Sequence, residues 1–240
     1  MFETQFIENA ESRLTSLIGV DEVGRGPLAG PVVACSVKLN LNYELETLNF
    51  LEVLRSLNVT DSKKLSKVKR REILSALEIP FRDVEFEKVY SIAGVVSFSV
   101  AEVSPKLIDE INIHHASLKA MSRSLLKGLI GGEEQALILI DGKWAPKHQA
   151  LSKHCIETVI KGDSKSLVIA LASIIAKEKR DSIMEELSVQ FPNYGLQTHS
   201  GYPTPFHKKM IREHGPSSCH RITFKGVKDW DQKNEKRNQT

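Results

Sequence analysis

Hydrophobic positions along the chain fall into runs of two kinds. Leu17-Ile18-Gly19-Val20 ends in Asp21, and Pro31 to Leu39 is rich in β-branched residues; the glycine-rich stretch Gly24 to Gly30 between them predicts a β-hairpin. Ala136 to Ile140 contains no polar residue, the pattern of a strand covered on both faces, and His154 to Ile160 can form another beside it. Val84 to Ile92 alternates, which predicts a strand with one solvated face. The remaining runs have helical spacing. Ser66 is placed to cap a basic helix that continues to about Leu77. Ser104-Pro105 opens a long amphipathic helix through Leu107, Ile108, Ile111, Leu118, Met121, Leu125 and Leu129, which Gly131-Gly132 ends. Leu167 to Ala176 is apolar almost all round, so that helix is expected to be central and buried. Lys228 to Thr240 is charged, with Trp230 as its apolar anchor, and is expected to fray.

This order of elements implies a mixed α/β sheet flanked by helices, with a helical carboxyl-terminal portion. Composition then narrows the function classes. A chain of 240 residues that is 41% hydrophobic can bury a core, which excludes general disorder. Thirty-three Lys and Arg against thirty Asp and Glu leave +3, a balance that permits a nucleic-acid partner without demanding one. Cys35, Cys155 and Cys219 lie far apart, so neither a cysteine zinc site nor a disulfide framework is indicated, and reduced, packed thiols are expected. Met1 to Ser16 carries Glu3, Glu8 and Glu11 and lacks the basic start and apolar stretch of a secretory signal. No apolar run approaches the ~20 residues needed to cross a bilayer. A cytoplasmic protein without a membrane partner is therefore expected.

Two apolar strands each end in an acid, Val20-Asp21-Glu22 and Ile140-Asp141-Gly142. Strand ends in a helix-covered sheet are rigid and accessible, and neighbouring strands would bring Asp21 and Asp141 together. Lys161-Gly162-Asp163-Ser164 supplies a third acid directly before the apolar helix, where the helix dipole is expected to keep it ionised. Plainer readings exist: Asp163 alone is more often a helix cap, and Asp141 before glycine can be a simple turn. Asp21-Glu22 at the mouth of a glycine loop is poor hairpin chemistry, which favours function. Clustered carboxylates repel one another unless a cation sits among them, and Mg2+ suits an all-oxygen donor set.

A family resemblance joins these pieces. Gly19-Val20-Asp21-Glu22-Val23-Gly24-Arg25-Gly26-Pro27-Leu28-Ala29-Gly30-Pro31-Val32-Val33-Ala34 closely resembles the opening motif of bacterial ribonuclease HII. The likeness continues through Asp61-Ser62-Lys63-Lys64-Leu65-Ser66, Ile108 to Ile113, Leu139 to Gly142, Lys161 to Ser164, Ala172 to Lys177, Ser200 to Thr204 and Gly215 to Arg221. Eight collinear strings are far more specific than any one of them.

The resemblance implies an RNase H-like mixed β-sheet flanked by helices, with a catalytic domain at 17–190, a helical substrate-binding region at 191–227 and a flexible tail at 228–240. It implies an endonuclease that cuts the RNA strand of RNA–DNA hybrids and incises 5′ of ribonucleotides embedded in duplex DNA, as in ribonucleotide excision repair and replication. The products would be a 3′-hydroxyl and a 5′-phosphate. By the resemblance Asp21, Glu22, Asp141 and Asp163 are the catalytic, metal-holding acids, with Mg2+ or Mn2+ as cofactor. Gly24-Arg25-Gly26 would read the ribose 2′-hydroxyl through its backbone, and Tyr202 would pack on the following sugar. Lys63 and Lys64 are candidate phosphate contacts, although a lysine pair in a polar turn is usually just solvated. A monomer is expected. The chain departs from the family pattern at Leu171, at Glu178-Lys179 and at Ile222-Thr223. Three alternatives are kept: the ribonuclease HIII subtype, disfavoured because only about 17 residues precede the first strand; a non-cleaving nucleic-acid-binding module of the same fold; and a nucleotide-binding α/β protein, disfavoured because a strand follows the glycine loop.

Overall fold

This computed structural model describes Glu3 and residues 14–81, 83–92, 95–129 and 135–230. Its elements are β1 (Leu14–Val23), β2 (Val32–Asn40), α1 (Glu44–Ser56), α2 (Lys67–Ala76), β3 (Val89–Ile92), β4 (Val96–Val103), α3 (Pro105–Gly128), β5 (Gln135–Asp141), β6 (Cys155–Val159), α4 (Leu167–Gln190), α5 (Leu196–His199) and α6 (Pro205–His214). The six strands form one mixed sheet in the order β3-β4-β2-β1-β5-β6. β1 pairs antiparallel with β2 and parallel with β5, and β5 pairs parallel with β6.

The apolar run Ala136–Ile140 is buried throughout, as a strand flanked on both faces requires. Gly19 of β1 explains how α4 comes to lie against the sheet. A Cβ there would sit 2.5 Å from the Val168 carbonyl carbon and 2.6 Å from the Ile169 nitrogen, so only glycine lets the start of α4 touch the strand backbone. Leu171 fits this layer and is fully buried. The other departure on α4 is compensated by charge. Glu178 is buried and accepts from Arg70 Nε at 2.7 Å and Arg71 Nε at 2.9 Å, both on α2. Lys179 places its ammonium 5.0 Å from the Phe86 ring centroid.

Several expectations change. The alternating stretch from Val84 is a strand only over Val89–Ile92, and α1 and β4 were not read from the sequence. β1 begins at Leu14, earlier than expected. The helix opened by Pro105 breaks at Asn112, whose φ of 63° is left-handed. Its carboxamide oxygen accepts the N–H groups of His114 and His115, capping a fresh start. Cys155 is exposed, unlike the buried Cys35 and Cys219. Gly131-Gly132 and residues 231–240 lie outside the described residues; Trp230 packs on Gly215, within 2.9 Å of where a Cβ would stand.

The chain divides into two compact units. The first comprises 1–23, 33–102 and 118–179; the second comprises 24–32, 103–117 and 180–240. The second therefore draws in two segments from earlier in the chain. Its apolar core includes Leu28, Met184, Tyr194, Leu196, Ile211 and Val227.

Candidate active site

The acids lie in the first unit. Val20 and Ile140 are the last residues in register between the parallel strands β1 and β5. The next residue on each is an aspartate, so Asp21 and Asp141 leave neighbouring strands at the same end of the sheet. Asp141 is paired with Val159 at the end of β6, and the Gly142 N–H donates to the Val159 carbonyl at 3.0 Å. After Lys161, at φ 56°, comes a 3-10 turn over Gly162–Ser164. The Gly162 N–H donates to Asp141 Oδ1 at 2.6 Å, which brings Asp163 to the same end. Ser166 caps α4 by accepting from the Ile169 N–H, so capping does not explain Asp163.

Asp21 is 4% exposed. Its Oδ1 accepts from the Glu22 N–H at 2.7 Å, and its carboxylate also accepts from the Ser173 hydroxyl of α4. The Ser62 hydroxyl lies 2.9 Å from that of Ser173. Burial, then the charges of Glu22 and Asp141, push the Asp21 carboxyl well above the usual range. Asp163 is pushed up as well, by burial, by Asp141 and by Asp61, with which it shares a hydrogen bond. Its expected stabilisation as an anion at the helix start is thus outweighed. Desolvation works against the Lys63 ammonium, but Asp21, Asp163, Asp61 and Asp141 together hold its pKa above the ordinary value. Lys63 and Lys64 are both exposed, and of the two it is Lys63 that feels the acids.

Among the described residues, no three His, Cys, Asp or Glu side chains are drawn together closely enough to hold a metal ion as they stand. Their carboxyl groups are engaged by nearer partners: Asp21 accepts from the Glu22 amide, Asp141 accepts from the Gly162 amide, and Asp163 in its protonated form donates to Asp61.

The glycine loop and Tyr202 belong to the second unit. Two buried arginines hold the loop. Arg221 donates to the carbonyls of Gly24 at 2.6 Å, Arg25 at 3.0 Å and Gly30 at 2.9 Å; Arg180 donates to those of Ala29 at 3.1 Å, Pro31 at 3.0 Å and Ser200 at 3.0 Å. Burial lowers their pKa to about 9 and about 10, which leaves both charged at neutral pH. Backbone bonds at 2.8 Å add Leu28 N–H to Gly201, Arg221 N–H to Leu28 and Gly30 N–H to Cys219.

Gly24 and Gly26 differ. Gly24 has φ 95°, and a Cβ on it would fall onto Arg180, so the fold itself demands glycine. A Cβ on Gly26 would meet only the edge of the Tyr202 ring, at an ordinary 3.6 Å. Tyr202 is 42% exposed. Ile222 and Thr223 donate their N–H groups to the Asp109 carboxylate at 2.8 and 2.9 Å, so backbone serves where the family pattern has a basic residue.

Sequence reasoning did not single out Asp61, Ser173, Arg180 or Arg221. Asp61, Ser173 and Arg221 stood inside motif strings, so a signal was present; Arg180 did not, and a buried arginine that serves carbonyls leaves no periodic trace. Exposed Lys143 and Trp144 follow Asp141 after Gly142, and exposed Lys161 stands two residues before Asp163.

Comparison with known proteins gives one consistent family. The family profile described as Ribonuclease HII matches residues 18–227. Ribonuclease HII of Borrelia hermsii is 43% identical over 211 residues, covering 88% of this chain and 99% of that protein. Ribonuclease HII of Clostridium botulinum is 42% identical, covering 87% of this chain and 67% of that protein. Among solved structures, ribonuclease H2 from Pyrococcus horikoshii superposes with a TM-score of 0.67 at 26% identity, covering 92% of this chain and 99% of that one. Bst-RNase HIII in complex with Mn2+ shares the fold, with a TM-score of 0.60 at 21% identity over 96% of this chain and 73% of that one. With the profile matched over residues 18–227 and relatives more than 40% identical over most of its length, the chain belongs to the ribonuclease HII family.

Proposed function

We propose that Asp21, Glu22, Asp141 and Asp163 are the carboxylates with which this ribonuclease HII hydrolyses phosphodiesters 5′ of ribonucleotides in duplex DNA and within RNA–DNA hybrids. The observation that carries the reading is the register of β1 on β5, which sets Asp21 beside Asp141 strongly enough for each to feel the other's charge. The donor set fits a hard divalent cation, Mg2+ or Mn2+: it is all oxygen, and two of its members are held at raised pKa by burial and like charge, a cost that a cation would relieve. When bound, such ions lower the pKa of an attacking water and stabilise the leaving 3′-oxygen.

The chain's own residues supply the rest. Ser173 and the Glu22 amide fix the orientation of Asp21, and the Gly162 amide fixes that of Asp141. Lys63 neutralises part of the negative field that a phosphate would otherwise meet. Gly24, Arg25 and Gly26 offer backbone groups to the ribose 2′-hydroxyl. Glycine at position 26 is not required by any neighbour in the fold, so its smallness is explained by a substrate group that approaches there. Tyr202 packs on the next sugar. Lys64, Lys143, Lys161 and Trp144 give the duplex cationic and aromatic contacts. Ribonucleotide-bearing DNA as substrate argues for work in the cytoplasm, by a monomer acting on one duplex.

The test is cleavage of duplex DNA with one embedded ribonucleotide, with and without chelator, by the natural chain and by Asp21→Asn. The variant should lose about 10³-fold or more in kcat while still binding the duplex. Because it removes a buried, repelled charge, its Tm should be unchanged or higher. Turnover equal to that of the natural chain would refute the assignment of Asp21.

A further inference from the structure

The second unit holds a group of imidazoles that bond cleavage does not use. His207 and His220 are both buried, and their Nε2 atoms lie 3.1 Å apart. Two neutral imidazoles can bond through the same nitrogen only if one carries the hydrogen there and the other does not. Their Nδ1 partners decide which. His207 Nδ1 lies 3.0 Å from the Tyr202 carbonyl oxygen, which can only accept. His207 therefore keeps its hydrogen on Nδ1, and its Nε2 is an acceptor. His220 Nδ1 lies 3.0 Å from the Ser217 amide nitrogen, which can only donate, and 2.9 Å from the Ser217 hydroxyl. His220 therefore carries its hydrogen on Nε2. One directional chain satisfies every ring nitrogen: Ser217 N–H to His220, His220 Nε2–H to His207, and His207 Nδ1–H to the Tyr202 carbonyl.

The chain ends on a backbone that is already held on both sides. The Tyr202 N–H donates to the His199 carbonyl at 2.9 Å, and the Thr204 N–H donates to the Tyr202 carbonyl at 2.8 Å. Packing holds the imidazoles in plane. The His199 ring stacks on His207 at 4.5 Å between centroids, and Tyr194 meets His220 edge-on at 4.6 Å while its hydroxyl donates to the Gly215 carbonyl. Burial lowers the pKa of both His207 and His220 to about 4, so the neutral forms that this bonding requires persist at physiological pH.

We propose that His207 and His220 are positioning residues, a relay that fixes the Tyr202 carbonyl and thereby presents the Tyr202 ring in one pose to the sugar beside a lone ribonucleotide. The inference rests on the role given above to Tyr202. It makes ribonucleotide selectivity depend on two side chains that touch no substrate.

Two substitutions of similar size separate positioning from packing. His207→Asn keeps a donor near the place of Nδ1, whereas His207→Gln keeps polar atoms only near Nε2. The readout is the ratio of kcat/KM on duplex DNA with one ribonucleotide to kcat/KM on a uniform RNA–DNA hybrid. His207→Gln should lower this ratio about tenfold, the scale of one hydrogen bond, and His207→Asn should leave it within about threefold of the natural value. Tyr202→Ala, assayed in parallel, should lower it at least as much as His207→Gln. Histidine nitrogen NMR on the unmodified protein should show His207 protonated at Nδ1 and His220 at Nε2. The relay is overturned if His207 carries its proton on Nε2, whatever Tyr202 does. It is also overturned if Tyr202→Ala moves the ratio while both His207 variants leave it alone. A ratio indifferent to Tyr202→Ala refutes the role of Tyr202 and, with it, the purpose of the relay, while the NMR result still reports on the hydrogen bonds themselves.

Discussion

Gly24 and Gly26 stand two positions apart and are small for unrelated reasons, which separate experimentally. Gly24→Ala puts a Cβ onto Arg180 at a φ that side chains rarely adopt, so it should cost stability, on the order of 2 kcal/mol or more, seen as a lower urea midpoint. Gly26→Ala meets ordinary space within the protein, so its midpoint should stay within ~0.5 kcal/mol of the natural chain while incision at a lone ribonucleotide falls sharply. A Gly26→Ala variant that cuts normally would remove the backbone reading of the 2′-hydroxyl. At this scale the acids were legible because Asp21 and Asp141 each end an apolar run and Asp163 stands just before one. Arg180 was not, because a basic residue at helical spacing looks like a solvated one until its carbonyl partners are seen.

Elements show a similar division. The hairpin, β5, β6 and α4 were legible because strand alternation, unbroken apolar runs and glycine boundaries all agreed. The long helix after Pro105 was read through Asn112 because its apolar spacing continues; the break comes from a side-chain carboxamide that caps the next segment, a local competition that periodicity does not record. β3 is short and mostly exposed, and the turn preceding it meets β4 through the Glu87 N–H, which donates to the Val100 carbonyl at 2.7 Å, without becoming a strand despite its alternation. Between α2 and α4 the decisive contact is ionic. Arg70 binds Glu178 and also donates to the Ser62 and Leu65 carbonyls, so this buried pair fixes the turn that presents Lys63. Glu178→Ala leaves two sheltered guanidiniums without that carboxylate and should cost about 3–5 kcal/mol, or roughly 10 °C in Tm. A calorimetric loss below about 1 kcal/mol would show that the pair is dispensable.

For the whole molecule, pH acts on the two units with opposite sign. His207 and His220 titrate at about 4 when folded and near 6.5 when unfolded, so the unfolded chain binds more protons between those values. Their contribution to stability is complete above pH ~6.5 and is lost as pH falls towards 4. The raised carboxyls of Asp21 and Asp163 work the other way, favouring the fold as they become protonated. Urea midpoints taken from pH 7 to pH 4 should therefore fall less steeply in His207→Asn than in the natural chain; parallel curves would show that this imidazole does not titrate as described. The path of the chain has a further consequence. The carbonyls of Gly24, Arg25, Ala29, Gly30 and Pro31 receive hydrogen bonds from the Arg180 and Arg221 side chains, more than 140 positions later. A nascent chain cannot complete this loop until Arg180 and Arg221 have left the ribosome, so a product terminated before Arg180 carries residues 24 to 31 without the donors that hold them.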